Sequence, residues 1–194
     1  MKFDVIYADP PYRFDNKKTG GSFTSGAAQH YPVLDWNEVF DLPIERLAQE
    51  NAVLFLWIPV PMLDKGIDLL YSWGFTYKTA LFWHKKGRFG MGYWYRNCME
   101  ILLVGIRGDV RAFRCQFSNV IQLPVLGHSI KPREFLKIIE VSTEGMGART
   151  CLELFAREDA QNWVCIGEEL SGNDIRQDIK TLLMFEEKKE GENE

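Results

Sequence analysis

Apolar residues follow two different spacings along the chain. Short apolar runs that end at glycine, proline or polar residues are typical of buried strands, and apolar residues three and four positions apart are typical of helices. The first spacing predicts six strands: Phe3–Ala8, Ala52–Ile58, Lys78–His84, Glu100–Ile106, Thr150–Phe155 and Trp163–Gly167. The second predicts four helices: Trp36–Gln49, Met62–Trp73, Pro132–Thr143 and Asp174–Phe185. Their alternation indicates an α/β fold with a mostly parallel sheet and helices on both faces.

The length of the chain sets an expectation for its domain organisation. A chain of 194 residues can bury one sizeable core, and no linker or internal repeat interrupts the pattern. Residues 1–185 are therefore predicted to form a single domain. The remaining stretch, EEKKEGENE at 186–194, is polar and charged and predicts an acidic disordered tail.

Composition narrows the class of protein. Hydrophobic residues make up 46% of the chain and charged residues 26%, as in an ordinary globular protein. The sequence has no apolar run of about 18 residues and no signal-peptide pattern, so we expect it in the cytoplasm or the nucleus, with the cytoplasm favoured. The cysteines show no C-x-x-C spacing and predict reduced thiols rather than disulfides or a zinc site, so no metal is expected: Cys98, Cys115, Cys151 and Cys165.

The charged residues are unevenly distributed. A net charge of −4 does not indicate a nucleic-acid-binding protein. Between Lys78 and Arg114, however, the acidic residues are only Glu100 and Asp109, and aromatic side chains lie among eight basic ones: Lys78, Lys85, Lys86, Arg88, Arg96, Arg107, Arg111 and Arg114. This pattern predicts a local positive face for nucleic acid. Solvated lysines beside strands would give a similar pattern.

Two long segments without helix or strand signals follow predicted strands. Residues 17–34 are rich in glycine, serine and threonine, and residues 85–97 carry three glycines among basic and aromatic residues. Segments of this length in a compact domain are often functional. Because they follow strands, we expect both to border the edge of the sheet where α/β proteins bind ligands.

The stretch VIYADPPY places a carboxylate where the first strand must stop. Pro10 and Pro11 cannot donate ladder hydrogen bonds, and Pro10 restricts the backbone of Asp9. The Asp9 side chain, the Pro10 carbonyl and the Tyr12 ring are therefore expected in a fixed relation at the carboxyl edge of the sheet. A rigid turn with Asp9 as a local cap is the simpler alternative.

Several motifs resemble one enzyme family in its own order. They are DPPY (Asp9–Tyr12), LFLW (Leu54–Trp57), SWGF (Ser72–Phe75), FWHKK (Phe82–Lys86), EILLVGIRG (Glu100–Gly108), HSIKP (His128–Pro132), LELFAR (Leu152–Arg157) and NWVCIGEEL (Asn162–Leu170). Over about residues 3 to 172 they are similar to S-adenosylmethionine-dependent methyltransferases that act on the N6 amine of adenine. That family includes the messenger-RNA N6-adenosine methyltransferase catalytic subunit and compact bacterial and phage DNA-modifying enzymes. The resemblance implies a Rossmann-like class I methyltransferase fold with a circularly permuted motif order.

The resemblance also implies roles for the DPPY residues. Asp9 through Tyr12 form the catalytic motif, in which Asp9 and the Pro10 carbonyl would each accept an amino N–H of adenine. Those hydrogen bonds would orient a poorly nucleophilic nitrogen and stabilise its developing positive charge. Tyr12 would stack on the base, which must be single-stranded or flipped out of a duplex. S-adenosylmethionine would supply the methyl group.

Further candidate site residues come from the other motifs. Those implied for the cofactor are Asp9, Lys131, Glu153, Phe155, Arg157, Glu168 and Glu169. Those expected for the nucleic-acid substrate are Tyr12, Tyr31 and Glu100 from the resemblance, and Lys85, Arg88 and Arg96 from the positive face. Without the resemblance, Lys131 and Arg157 would be interpreted as solvated side chains. Trp57, Trp73 and Trp83 are expected in the core.

The sequence leaves several functional alternatives open. The enzyme is favoured over a non-catalytic partner subunit, because degenerate members of the family lose the acid that Asp9 retains here. Cytosine-N4 methylation is disfavoured, because those enzymes usually carry serine at that position. The small size and acidic charge resemble those of the compact prokaryotic and phage DNA enzymes, and this resemblance favours DNA over RNA and a prokaryotic or phage-infected cell. RNA as substrate, and assembly as a homodimer or heterodimer, stay open, as does the recognition sequence.

Overall fold

The computed structural model describes residues 2–12, 34–87, 94–111, 113, 117–127, 130–147 and 149–191, with the backbone alone at 186–191. Within these residues, seven strands form one sheet: β1 Phe3–Ala8, β2 Ala48–Ile58, β3 Thr76–Lys86, β4 Met99–Arg107, β5 Val120–Pro124, β6 Cys151–Leu154 and β7 Trp163–Ile166. Their order across the sheet is β5-β3-β4-β2-β1-β6-β7.

The sheet is mostly parallel, as the sequence predicts. β1 pairs in parallel with β2 and β6, β6 with β7, and β3 with β5, whereas β4 runs antiparallel to both of its neighbours. The carboxyl ends of six strands and the amino end of β4 therefore share one edge. Asp9 follows β1 at this edge, and Glu100 lies there at the start of β4.

Helices lie on both faces of the sheet, which confirms that prediction. They are α1 Trp36–Phe40, α2 Ile44–Leu47, α3 Leu63–Ser72, α4 Glu134–Thr143, α5 Glu168–Ser171 and α6 Ile175–Gly191. Short 3-10 turns precede α3 at Val60–Met62 and follow α4 at Glu144–Met146. Residues 186–191 continue α6, whereas the sequence predicts a disordered tail over 186–194; residues 192–194 lie outside the described residues.

Alternate residues of the central strands fill two separate cores. In β1, Ile6 and Ala8 pack with α1, α2, α3 and α6, whereas Val5 and Tyr7 pack with α4 on the opposite face. This alternation follows from the period of two along a strand. The expected core tryptophans are all buried: Trp57, Trp73 and Trp83.

Two elements differ from the prediction. The predicted helix Trp36–Gln49 is broken into α1 and α2, because Pro43 lacks an N–H and residues 48 and 49 already belong to β2. Asp35 fixes the start of α1 through a capping box with Glu38. β5 is absent from the prediction, because it is a short, half-exposed edge strand without a continuous apolar run.

Candidate active site

The DPPY motif forms a tight turn at the carboxyl end of β1. The N–H of Tyr12 donates to the Pro10 carbonyl over 2.9 Å, and the Pro11 carbonyl accepts from Leu34 N–H over 3.1 Å. These bonds fix the turn that leaves Asp9 at the edge of the sheet. The Pro10 carbonyl keeps a second lone pair for another donor.

Asp9 belongs to a chain of four alternating charges. The Lys131 ammonium lies 2.8 Å from both carboxylate oxygens of Asp9 and 3.3 Å from Oε2 of Glu100. Glu100 also forms an ion pair with Lys85. All four side chains are largely buried. Two carboxylates and two ammonium groups balance, so the cluster carries no net formal charge.

Burial and pairing oppose each other in this cluster. Burial raises the pKa of Asp9 above its usual value, although Lys131 acts in the opposite direction. Burial also acts to raise the pKa of Glu100, but Lys131 and Lys85 outweigh it and the pKa is lowered. For Lys131, burial acts to lower the pKa, but Asp9 and Glu100 outweigh it and the pKa is raised. Lys131 is therefore protonated and Glu100 ionised near neutral pH.

Tyr12 is placed differently from the prediction. Its ring stacks on Trp36 with centroids 4.6 Å apart, and its hydroxyl donates to the Trp57 carbonyl over 3.0 Å. The side chain is buried. In this conformation the ring points into the core and is not offered to a base, and the stacking of Tyr12 on a base stays a prediction.

Trp57 joins the DPPY turn to the cluster. Its indole N–H donates to the Tyr7 hydroxyl over 2.6 Å, while its carbonyl accepts from Tyr12. The Lys131 ammonium lies 5.5 Å from the centre of its ring, within cation–π range. Sequence reasoning placed Trp57 in the core, which is right, and missed these contacts because they join distant parts of the chain.

Glu153 lies beside β1 and pairs with an arginine that sequence reasoning missed. In the ladder between β1 and β6 it is opposite Tyr7, and Arg133 Nη1 lies 3.0 and 3.1 Å from its two carboxylate oxygens. Burial raises the pKa of Glu153, and Arg133 partly opposes this. Arg133 comes directly after the HSIKP motif, and this position was the signal in the sequence that could have identified it as a site residue.

The ends of β6 and β7 approach each other closely. Phe155 adopts a left-handed conformation with φ 61°, which is uncommon for a residue other than glycine. Ala156 N–H donates to the Ile166 carbonyl over 3.0 Å. A Cβ added at Gly167 would lie 2.3 Å from the Ala156 carbonyl oxygen, so glycine is required for this approach.

Arg157 and Glu169 meet just beyond that approach. The Arg157 Nε lies 3.3 Å from Oε1 of Glu169. Glu168 and Glu169 are exposed in the first turn of α5. β1 and β6 pair in parallel with Ala8 opposite Leu154, so the cofactor candidates that follow β6 begin beside the DPPY turn.

The structure thus gathers most predicted site residues at one edge. Arg96 is exposed on the segment that leads into β4. Tyr31 and Arg88 lie outside the described residues. Among the described residues, no group of three or more histidine, cysteine, aspartate or glutamate side chains is arranged to hold a metal ion. Nor does any helix in that part of the chain have the length and hydropathy to cross a membrane.

A mostly parallel sheet with helices on both faces and an Asp-Pro-Pro-Tyr turn at the carboxyl end of β1 defines a Rossmann-like methyltransferase. The comparison of sequences agrees. The chain belongs to the MT-A70 family, whose sequence model matches residues 3–169.

Individual relatives are similar over most of the chain. The type II methyltransferase M.MunI of a Mycoplasma species is 30% identical, over 90% of this chain and 80% of its own length. The human N(6)-adenosine-methyltransferase catalytic subunit METTL3 is 27% identical, over 88% of this chain and 29% of its own. A Drosophila melanogaster MT-A70-like N(6)-adenosine-methyltransferase is 28% identical, over 88% of this chain and 27% of its own length. The chain therefore spans less than a third of these two eukaryotic relatives.

Proposed function

We propose that this protein transfers a methyl group from S-adenosylmethionine to the N6 amine of adenine in nucleic acid. The observation that carries the proposal is the Asp9 carboxylate, held by Lys131 at the carboxyl edge of β1. It is supported by membership of the MT-A70 family. When bound, S-adenosylmethionine supplies an activated methyl on its sulfonium.

The residues at this edge fit such a cofactor. Lys131 provides a cation for its carboxylate, and this ammonium would be shared with Asp9 and Glu100. Arg157 and Glu169 provide polar groups for its ribose beyond the close approach at Gly167. Glu153, Phe155 and Glu168 complete the proposed set at the ends of β6 and β7.

Asp9 would act on the adenine amine in two ways. Its carboxylate accepts an amino N–H, and the Pro10 carbonyl accepts the other through its remaining lone pair, which turns the nitrogen lone pair toward the methyl group. Methyl transfer would form the carbon–nitrogen bond while the methyl–sulfur bond breaks and leaves its electron pair on sulfur, and the carboxylate would stabilise the positive charge that develops on nitrogen. The amine then loses one proton, and Asp9 is positioned to accept it.

Lys131 would serve this chemistry by favouring the ionised form of Asp9 against the effect of burial. Burial alone would favour the protonated acid, which could not accept an N–H at that oxygen. Two hydrogen bonds from one ammonium group also fix the orientation of the carboxylate.

We further propose DNA as the favoured nucleic acid. The chain matches 80% of the length of the type II methyltransferase, against 29% of the human N6-adenosine subunit. Glu100, Lys85 and Arg96 would lie on the substrate side of the site, with Tyr31 and Arg88.

The test is transfer of labelled methyl from S-adenosylmethionine to matched DNA and RNA oligonucleotides, followed by mass spectrometry of the nucleosides. The proposal predicts N6-methyladenine, with more product from DNA. Labelled N4-methylcytosine, or no labelled nucleoside with either polymer, would overturn it. More product from RNA would overturn the DNA preference alone.

A further inference from the structure

The segment that leads into β4 presents two adjacent aromatic side chains to solvent. Trp94 is 94% exposed and Tyr95 is 89% exposed. Large aromatic residues are normally largely buried, and exposed apolar patches often mark sites where a protein binds another molecule. The other exposed aromatic residues in the described part of the chain retain more contact with the protein: Tyr71, Tyr77, Phe117 and Phe185.

This pair is tied to the proposed active site. The Cys98 carbonyl accepts from Lys85 N–H over 2.8 Å, which fixes the segment against the end of β3. Glu100, two residues later, contacts Lys131 beside Asp9. A fully extended chain spans about 3.5 Å per residue, so Tyr95 lies within roughly 18 Å of Glu100. A single strand of a few nucleotides would span this distance from a base bound in the site.

The charge around the pair matches phosphate. Residues 85–99 contain four basic side chains and no acidic one: Lys85, Lys86, Arg88 and Arg96. Lys85 is engaged with Glu100, whereas Lys86 and Arg96 are exposed. Aromatic faces beside basic groups are the combination with which proteins bind single strands, the rings stacking on bases and the cations contacting the backbone.

The size of the pair argues against a protein partner. Two aromatic side chains expose roughly 400 Å² together, about half of what one partner contributes to a stable protein interface. One base needs only one face of one ring.

We propose that Trp94 and Tyr95 stack on unpaired bases that flank the target adenine, with Lys86 and Arg96 contacting the adjoining phosphates. The inference rests on the proposed function for the identity of the target base. It adds an interaction surface that holds the strand on either side of that base.

The experiment measures binding of a fluorescent single-stranded 12-nucleotide DNA with one central adenine. Trp94→Ala and Tyr95→Ala should each weaken Kd about tenfold, and Trp94→Phe should restore most of the affinity, because phenylalanine also stacks. Tyr71→Ala, at an exposed aromatic residue on α3, is the matched control and should bind as wild type.

Two further arms separate stacking from charge. Neither aromatic substitution should alter the slope of log K against log salt, whereas Arg96→Gln should reduce it by about 0.7. A series of oligonucleotides is also compared, each with one abasic site at a different position beside the adenine. An abasic site at the position that Trp94 contacts should weaken binding by the wild type but not binding by Trp94→Ala.

The inference is overturned if Trp94→Ala and Tyr95→Ala bind as tightly as wild type, or if no abasic position removes their effect. A mass by light scattering that falls from dimer to monomer in Trp94→Ala, with unchanged affinity, would assign the pair to a contact between chains. Binding is measured without turnover, so a wild type that binds but transfers no methyl refutes the proposed function alone.

Discussion

At the scale of single residues, Lys131 should control the acidic side of the pH–rate profile. It lowers the pKa of a buried Asp9 carboxylate, so Lys131→Met should raise that pKa further and reduce the ionised fraction at a given pH. Methyl transfer at saturating cofactor should then fall more at pH 6 than at pH 9, and the acidic limb should move to higher pH. The measurement is kcat as a function of pH.

Lys85→Met is the matched control for that profile. Lys85 pairs with Glu100, whereas the charges that act on the pKa of Asp9 are those of Lys131, Glu100 and Arg157, so removal of Lys85 should leave the acidic limb in place. An acidic limb that does not move in Lys131→Met would show that Asp9 is not the titrating group.

The buried bond between Trp57 and Tyr7 allows a second residue-scale prediction. Trp57→Phe leaves the Tyr7 hydroxyl without its donor, and Tyr7→Phe leaves the indole N–H without its acceptor. Each should lower the free energy of unfolding by about 1–3 kcal/mol, and the double variant should lose clearly less than the sum. Urea unfolding of the four proteins measures this. Additive losses would mean that the bond contributes nothing specific.

At the scale of elements, Gly108 is required where β4 ends. Its φ is +66°, and an added Cβ would lie 2.3 Å from the Glu50 carbonyl oxygen on β2. Gly87 has a similar φ of +72°, and an added Cβ there would have no atom within 4 Å among the described residues beyond its chain neighbours, which makes it the matched control. Gly87→Ala should cost about 1 kcal/mol through its backbone conformation. Gly108→Ala should cost at least about 1–3 kcal/mol more, because the two strands must separate. Equal losses in thermal unfolding would contradict this.

Elements with strong local signals could be predicted from the sequence. β1 is an apolar run closed by two prolines, and its observed bounds, Phe3–Ala8, are those predicted. β5 could not be predicted, because an edge strand is defined by the partner strand β3 rather than by its own pattern. The break between α1 and α2 was signalled by Pro43, and the extension of α6 to Gly191 shows that polar composition alone does not end a helix.

At the scale of the whole molecule, the sheet topology places the site. Asp9, Glu100 and Lys131 lie far apart in the sequence and meet because β4 alone of the described strands runs antiparallel, which brings its amino end to the carboxyl edge of β1. The motifs indicated these residues individually. Their pairing, and the burial of Tyr12 against Trp36, depend on the tertiary arrangement and could not be derived from spacing.

Replacement of Asp9 tests the central claim most directly. Asp9→Asn keeps the size of the side chain and removes its charge, and Asp68→Asn on the exposed face of α3 is the matched control. Methyl transfer to an adenine-containing oligonucleotide is measured for both, together with the rise in melting temperature caused by S-adenosylmethionine. The account predicts that Asp9→Asn loses about a hundredfold or more in kcat at saturating S-adenosylmethionine, with a rise that is at most reduced because Lys131 and Arg157 remain, and that Asp68→Asn behaves as wild type. Transfer by Asp9→Asn within a few-fold of wild type would contradict it, and Asp9 would then be a turn residue.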